Sequence, residues 1–286
     1  MFIIIAFNNL LSISFSQIVL YINLYLLFSI FHSKKIGYKP DMILIYWRIA
    51  ADVGYSFTVS IQKTYFLLLL CSNNFAVKNL SFYLLQASLI MGIVRATIAL
   101  LLTLERFIAV FFPIIFHNNR RKIPIFLIIC PILCHFLFDQ YILFGFCGNV
   151  VDVPLDCDNF VCTFNECYQK YWETHDPVVF SLIETVSVLL FIRLFIWKNS
   201  KQRFCKVTQI ALLDSLILLL FNIIPIFFYS YFSSTFAKVK FPLPTVSRNA
   251  GSVIESIILW RLLKHKKNVN MKNDNIGKFQ SSVSMK

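Results

Sequence analysis

Seven long apolar runs separated by short polar stretches set the pattern of this chain. Leu10 to Phe31 holds no charged residue, and Lys34, Lys35 and Lys39 follow at once. Met42 to Leu70 is apolar but carries Arg48, Asp52 and Lys63, and its length predicts a tilted crossing. Phe82 to Leu104 ends at Glu105 and Arg106, with Pro113 and the polar run His117 to Lys122 beyond it. Ile123–Phe144, Pro177–Trp197, Val207–Phe232 and Leu243–Leu263 complete the set. About 20 apolar residues carry a helix across about 30 Å of hydrocarbon, and only a helix satisfies its own backbone there. The expectation is an all-α, seven-transmembrane helix bundle over residues 1–265, with residues 266–286 as a disordered, basic cytoplasmic tail.

The polar residues between the runs give the orientation. Lysine and arginine gather in the first, third and fifth connections and in the tail, which marks these as cytoplasmic. The opposite face receives Lys78, the acidic connection Phe146–Asp176, and Lys238 with Lys240. An odd number of crossings then places the N-terminus outside and the C-terminus in the cytoplasm. Met1–Ile5 lacks a basic start and a small-residue cleavage site, so the first run is expected to stay as a signal anchor.

Composition agrees, with 58% hydrophobic and only 14% charged residues. A net charge of +13 could suggest nucleic acid, but the bases fall in loop clusters between apolar runs; the expected partner is the lipid bilayer, with no nucleic acid. No internal repeat is evident, which counts against a transporter built from duplicated halves.

Cys147, Cys157, Cys162 and Cys167 lie in the acidic connection, and Cys71 ends the second run on the same face. An oxidising exterior makes all five disulfide candidates, and five leave the pairing open. Zinc held by these thiols and His175 is the alternative, but their spacing matches no paired CxxC pattern. Asn79, Leu80 and Ser81 form an N-glycosylation signature on that face.

An ionisable group at bilayer depth costs at least about 2.5–3.5 kcal/mol, so it faces the bundle and takes a partner. The candidates at that depth are Arg48, Asp52, Arg95, Glu184, Arg193, Asp214 and Glu255. Counted from the cytoplasmic ends of their runs, Asp52 and Arg95 lie at similar depth, and Glu255 can join them as an intramembrane charge cluster. Packing and a switch whose partners exchange are both open readings of that cluster. No HExxH, GxSxG or phosphate-binding loop occurs, and His135 and His175 read as separate, satisfied polar residues; neither an enzyme nor a cofactor nor a metal is expected. A ligand cavity is expected in the outer half of the bundle, with Phe82, Tyr83, Gln86, Tyr229 and Arg248 as lining candidates.

The stretch Leu104–Pro113, reading LERFIAVFFP, resembles the end of helix three in rhodopsin-like receptors. Glu105 and Arg106 match that family's acid and arginine, with Phe107 where tyrosine is usual. Asn23 and Asp52 match its polar anchors in helices one and two, and Pro225 its kink proline in helix six. Span seven lacks NPxxY, span four lacks the family's tryptophan, and Ser81 stands where most members keep the helix-three cysteine. The combination, with the segment Asp156–Tyr168 followed by Tyr171 and Trp172, resembles the nematode serpentine chemoreceptors of class BC.

The resemblance implies a plasma-membrane receptor of sensory neurons that binds an environmental small molecule and activates a heterotrimeric G protein. In its resting state Arg106 would pair with Glu105, shared with Asp214 of span six, and span six would move about Pro225 on activation. A peptide-responsive receptor, or a small polytopic transporter or channel, are the alternative readings.

Overall fold

Charge-free, apolar sequence winds α1 from Phe2 to Leu27, and a π-type stretch, Phe28–His32, extends it. The other long helices are α2 (Ile43–Cys71), α3 (Leu80–Phe111), α4 (Phe126–Gln140, extended by the π-type Tyr141–Phe146), α5 (Glu166–Trp197) and α7 (Leu243–Lys264). A π-wound segment, Leu219–Ile223, lies in the sixth helix, α6. The computed structural model describes residues 2–38, 42–72, 75–114, 116, 126–155, 157, 160–197, 213, 216–217, 219–225, 228 and 243–264. These hold helices and no strand.

Among the described residues, four helices are long and apolar enough to cross a membrane: α1 with its extension, α3, α4 with its extension, and α5. Hydroxyl side chains inside them bond back to a carbonyl one turn earlier, as Ser14 does to Leu10, Thr97 to Ile93 and Thr103 to Ala99. No hydroxyl so placed has to find water in an apolar surrounding.

α3 is the central helix, packed on α2, α4 and α5, while α1 lies against α2 and α7, and α7 against α6. One apolar cluster joins Leu26, Ile30, Ile45, Ile49, Leu102 and Leu259 at one end of the bundle. A second joins Phe82, Leu85, Leu143, Phe164 and Tyr168 at the other end. Where α7 crosses α6, a Cβ on Gly251 would stand 2.7 Å from Phe221 Cβ, so only glycine permits that approach. Pro225 is buried two residues past the π-wound turn of α6. Proline removes one backbone donor, and looser winding just before it is the usual accommodation.

One sequence boundary shifts. α5 begins at Glu166, well ahead of Pro177, because Tyr168, Tyr171 and Trp172 pack into the second cluster and carry the helix through the stretch assigned to a polar loop. Pro177 therefore sits inside a helix rather than at its start. On α4, Cys134 is exposed and Cys130 half-buried, so this pair faces out of the bundle. The tail, Asp214 and most of the sixth span lie outside the described residues.

Candidate functional site

Four charged side chains from three helices meet in the middle of the bundle. Arg95 of α3 approaches Asp52 of α2 through Nε at 2.6 Å and Glu255 of α7 through Nη2 at 2.8 Å. Arg48, one turn before Asp52, reaches Asp52 at 3.4 Å and Glu255 at 3.1 Å, and its Nη1 donates to the carbonyl of Arg95 at 2.9 Å. Two guanidiniums and two carboxylates thus alternate in a closed, neutral ring, with all four residues buried. In a medium of low dielectric only such full pairing offsets the loss of hydration. At the residue next to Glu255, fully buried Asn23 of α1 donates to Ser256 Oγ of α7 at 3.1 Å.

Above the ring, a cavity of about 670 Å³ opens between α1, α2, α3, α5 and α7. Its α3 wall is a stripe of Leu85, Ser88, Leu89, Gly92, Ile93 and Ala96, the spacing of one helical face. Phe160 and Trp172 close one end, and Arg248 of α7, bonded to Asp176 of α5 at 2.9 Å, lines another part of the wall. Arg248 also lies 5.3 Å from the Phe180 ring centre. A cavity of this size is in the range that encloses small organic ligands.

Among the described pocket candidates, only Arg248 lines this cavity. Tyr83 is 60% exposed, on the side of α3 away from the stripe. Gln86 lies off the stripe and donates to Gln140 Oε1 of α4 at 3.2 Å. Phe82 has the right phase but is buried by the rings of Phe144 and Phe164. Helical phase and the cover of the connection, neither visible in a list of aromatic positions, exclude these three. Tyr229 lies outside the described residues.

The connection before α5 carries two disulfides, Cys147–Cys167 and Cys157–Cys162, and Cys71 stays free and exposed. With their sulfurs spent in these bonds, the four thiols offer nothing to zinc. The connection docks on the start of α3 by hydrogen bonds: Ser81 Oγ donates to the Cys157 carbonyl at 2.9 Å, and Val153 N–H donates to Asn79 Oδ1 at 3.0 Å. Asn79 itself takes a left-handed conformation, φ 62°, ahead of α3.

Three polar links escaped the sequence reading. His135 and His175 are a pair, Nε2 to Nε2 at 2.8 Å, with His135 Nδ1 2.8 Å from Thr97 Oγ1. The Thr97 hydroxyl donates to the Ile93 carbonyl, so His135 donates to Thr97 and accepts from His175. Asp139, fully buried on α4, accepts from the Tyr168 hydroxyl at 3.0 and 3.1 Å. Asp176, counted with the loop, is in α5 and holds Arg248. Asp139 could have been found as a lone acid in an otherwise uncharged run; the histidine pair, separated by 40 residues, left no local signal.

At the opposite end of α3, Arg106 Nη2 meets Glu105 Oε2 at 2.6 Å, and the arginine is buried with the Phe116 ring 6.0 Å away. Asp214, the remaining switch candidate, lies outside the described residues.

No curated protein matches the chain. The family model of the serpentine type 7TM GPCR chemoreceptor Srbc does match it, across residues 1–267 and so across every described helix. A helical, multi-pass bundle with a ring of neutralised charges at its centre belongs to the Srbc family of serpentine seven-transmembrane chemoreceptors.

Proposed function

We propose that this receptor binds a small environmental molecule in the cavity between α1, α2, α3, α5 and α7 and activates a heterotrimeric G protein at the Arg106 end of α3. The cavity carries the reading: Phe160 of the disulfide-bonded connection and Trp172 of α5 line it, and it reaches down toward the buried charge ring. Ligand that changes how α3, α5 and α7 pack at the cavity can thereby bias the helices that hold Glu105 and Arg106. The disulfide-bearing connection faces outward in this reading, the basic connections face the cytoplasm, and the membrane is that of a sensory neuron. Residues 1–265 form the receptor domain and residues 266–286 its tail.

Reconstituted receptor with purified G protein tests the function directly. Ligand-stimulated nucleotide exchange on the G protein is the expected result. Solute flux through receptor-bearing liposomes, without any effect on a G protein, would establish a transporter instead.

Orientation and the cysteines share a second test. An impermeant maleimide applied to intact cells should label Cys71, which is free and exposed, while Cys147, Cys157, Cys162 and Cys167 react only after reductant. Labelling of all five without reductant contradicts the disulfides, and no labelling even after reductant contradicts the orientation.

A further inference from the structure

We propose that His135 and His175 form a binding site for a divalent transition-metal ion, zinc above all, that bridges α4 and α5. The site lies apart from the Arg106 end of α3, and its binding test does not depend on the receptor mechanism.

α4 and α5 each pack on α3, and polar side chains close the seam between them. His135 and Asp139 are four residues apart on α4, and Tyr168 and His175 seven apart on α5, so each pair shares a helical face. Across the seam the Tyr168 hydroxyl donates to Asp139, and the two imidazoles meet Nε2 to Nε2 at 2.8 Å.

His135 is already held as a metal ligand is held. Its Nδ1–H donates to Thr97 Oγ1 of α3 at 2.8 Å, and the Thr97 hydroxyl is spent on the Ile93 carbonyl. That bond fixes the tautomer and leaves the Nε2 lone pair aimed at His175. Metal-ligating histidines have this same support, the far nitrogen donating to an oxygen. Neutral imidazole suits zinc and copper, whereas magnesium and calcium prefer oxygen ligands.

The hydrogen bond between the rings leaves one nitrogen over. His175 spends its Nε2–H on His135, and its Nδ1 is buried with no partner. Zinc between the two Nε2 atoms takes the position of that proton, which moves to His175 Nδ1, so no proton is gained or lost. With Zn–N of about 2.0–2.1 Å and a tetrahedral angle, the Nε2 atoms stand about 3.3 Å apart, and the pair opens by about half an ångström. Among the described residues no third His, Cys, Asp or Glu completes the group, so water takes the other positions. Metal and water have a route in, because His175 lines the cavity of about 670 Å³.

Charge gives a second argument. Asp139 is fully buried one helical turn from His135, and its hydrogen bonds come from the Tyr168 hydroxyl and the Gln140 amide, both neutral donors. Among the described residues no cation touches it. A carboxylate buried without a cation is costly, and a dication one turn away, within about 6 Å, offsets that cost. Asp176, the residue after His175, is already neutralised by Arg248, so Asp139 is the acid left for the metal.

Zinc chloride titrated into purified full-length receptor, carried without a histidine tag in lipid nanodiscs, is followed by calorimetry. Zinc should bind and magnesium chloride should not. His135→Gln and His175→Gln should each weaken zinc at least about tenfold. Thr97→Val keeps both ligands and the shape of the side chain, removes only the support of His135, and should weaken zinc about tenfold. His32, His117 and His265 remain in every variant and give the common background. Thermal unfolding without metal checks that each variant is folded. Copper(II) on the unaltered chain needs no variant: it binds nitrogen ligands more strongly than zinc, and its paramagnetic resonance spectrum should show two imidazole nitrogens. Unchanged zinc affinity in both histidine variants, magnesium binding alongside zinc, a copper spectrum without two imidazole nitrogens, or no zinc binding by the parent each overturns the proposal and leaves the histidines as a hydrogen-bonded pair.

Discussion

Arg95→Ala is expected to destabilise the folded receptor by about 3–5 kcal/mol, the range for removing one partner from a buried ion pair. Arg95 touches both Asp52 and Glu255, so its loss leaves two buried carboxylates facing Arg48 alone within the ring. One negative charge is then uncompensated at bilayer depth. Asp52→Asn and Glu255→Gln each leave the opposite excess and should destabilise in the same range. The double substitution Arg95→Met with Glu255→Leu keeps Arg48 with Asp52, restores neutrality, and should recover most of the loss. Thermal unfolding of purified receptor, followed by tryptophan fluorescence, measures all four. A single Arg95→Ala variant as stable as the parent would show that water or lipid headgroups reach the ring and that its pairing is incidental. A double variant that is stable but has altered basal signalling would identify the ring as part of the switch as well as of the core.

How much of this was legible in the chain depends on what kind of distance each feature needs. The bundle rests on runs of apolar residues, a local property, and the family match over residues 1–267 agrees with seven spans. The grouping of Asp52, Arg95 and Glu255 used only the rise per residue and the requirement that buried charge be neutral, and these three do share one ring with Arg48. Rotation about a helix axis is less forgiving than depth. Tyr83 and Gln86 differ from the cavity-lining Leu85 by two residues and one, enough to turn them away from the cavity.

Pairing across the bundle was not legible where a boundary was misplaced. The apolar run begins at Pro177, so Asp176 falls with the loop in the sequence and is lost there as a partner for Arg248. The histidines were hidden differently, since each has an apolar setting on its own helix and the link needs α4 and α5 side by side. Cysteine pairing was open by arithmetic alone. Only the fold of the connection sets Cys147 beside Cys167 and Cys157 beside Cys162 and leaves Cys71 out.

Arg106→Ala is expected to abolish G-protein coupling while leaving the receptor at the cell surface, and Glu105→Gln to raise ligand-independent signalling. Arg106 is buried at the end of α3 farthest from the cavity, with Glu105 Oε2 at 2.6 Å. A charge-assisted contact of this kind contributes about 1.5–3 kcal/mol, and each ~1.4 kcal/mol shifts a two-state equilibrium about tenfold. In the resting state we propose, that pair holds Arg106 inside the bundle, together with Asp214 of the sixth span. Glutamine keeps the shape of glutamate and removes its charge, so the resting state is weakened and the active one gains population without ligand. In this proposal Arg106 released from the pair meets the G protein, and alanine cannot replace it. Basal and ligand-driven nucleotide exchange, normalised to surface receptor, read both effects. The competing explanation is that Glu105 and Arg106 only mark the membrane boundary, where charged residues gather on any helix. It predicts normal basal exchange in Glu105→Gln and intact coupling in Arg106→Ala, and that pair of results would remove the switch from this end of α3.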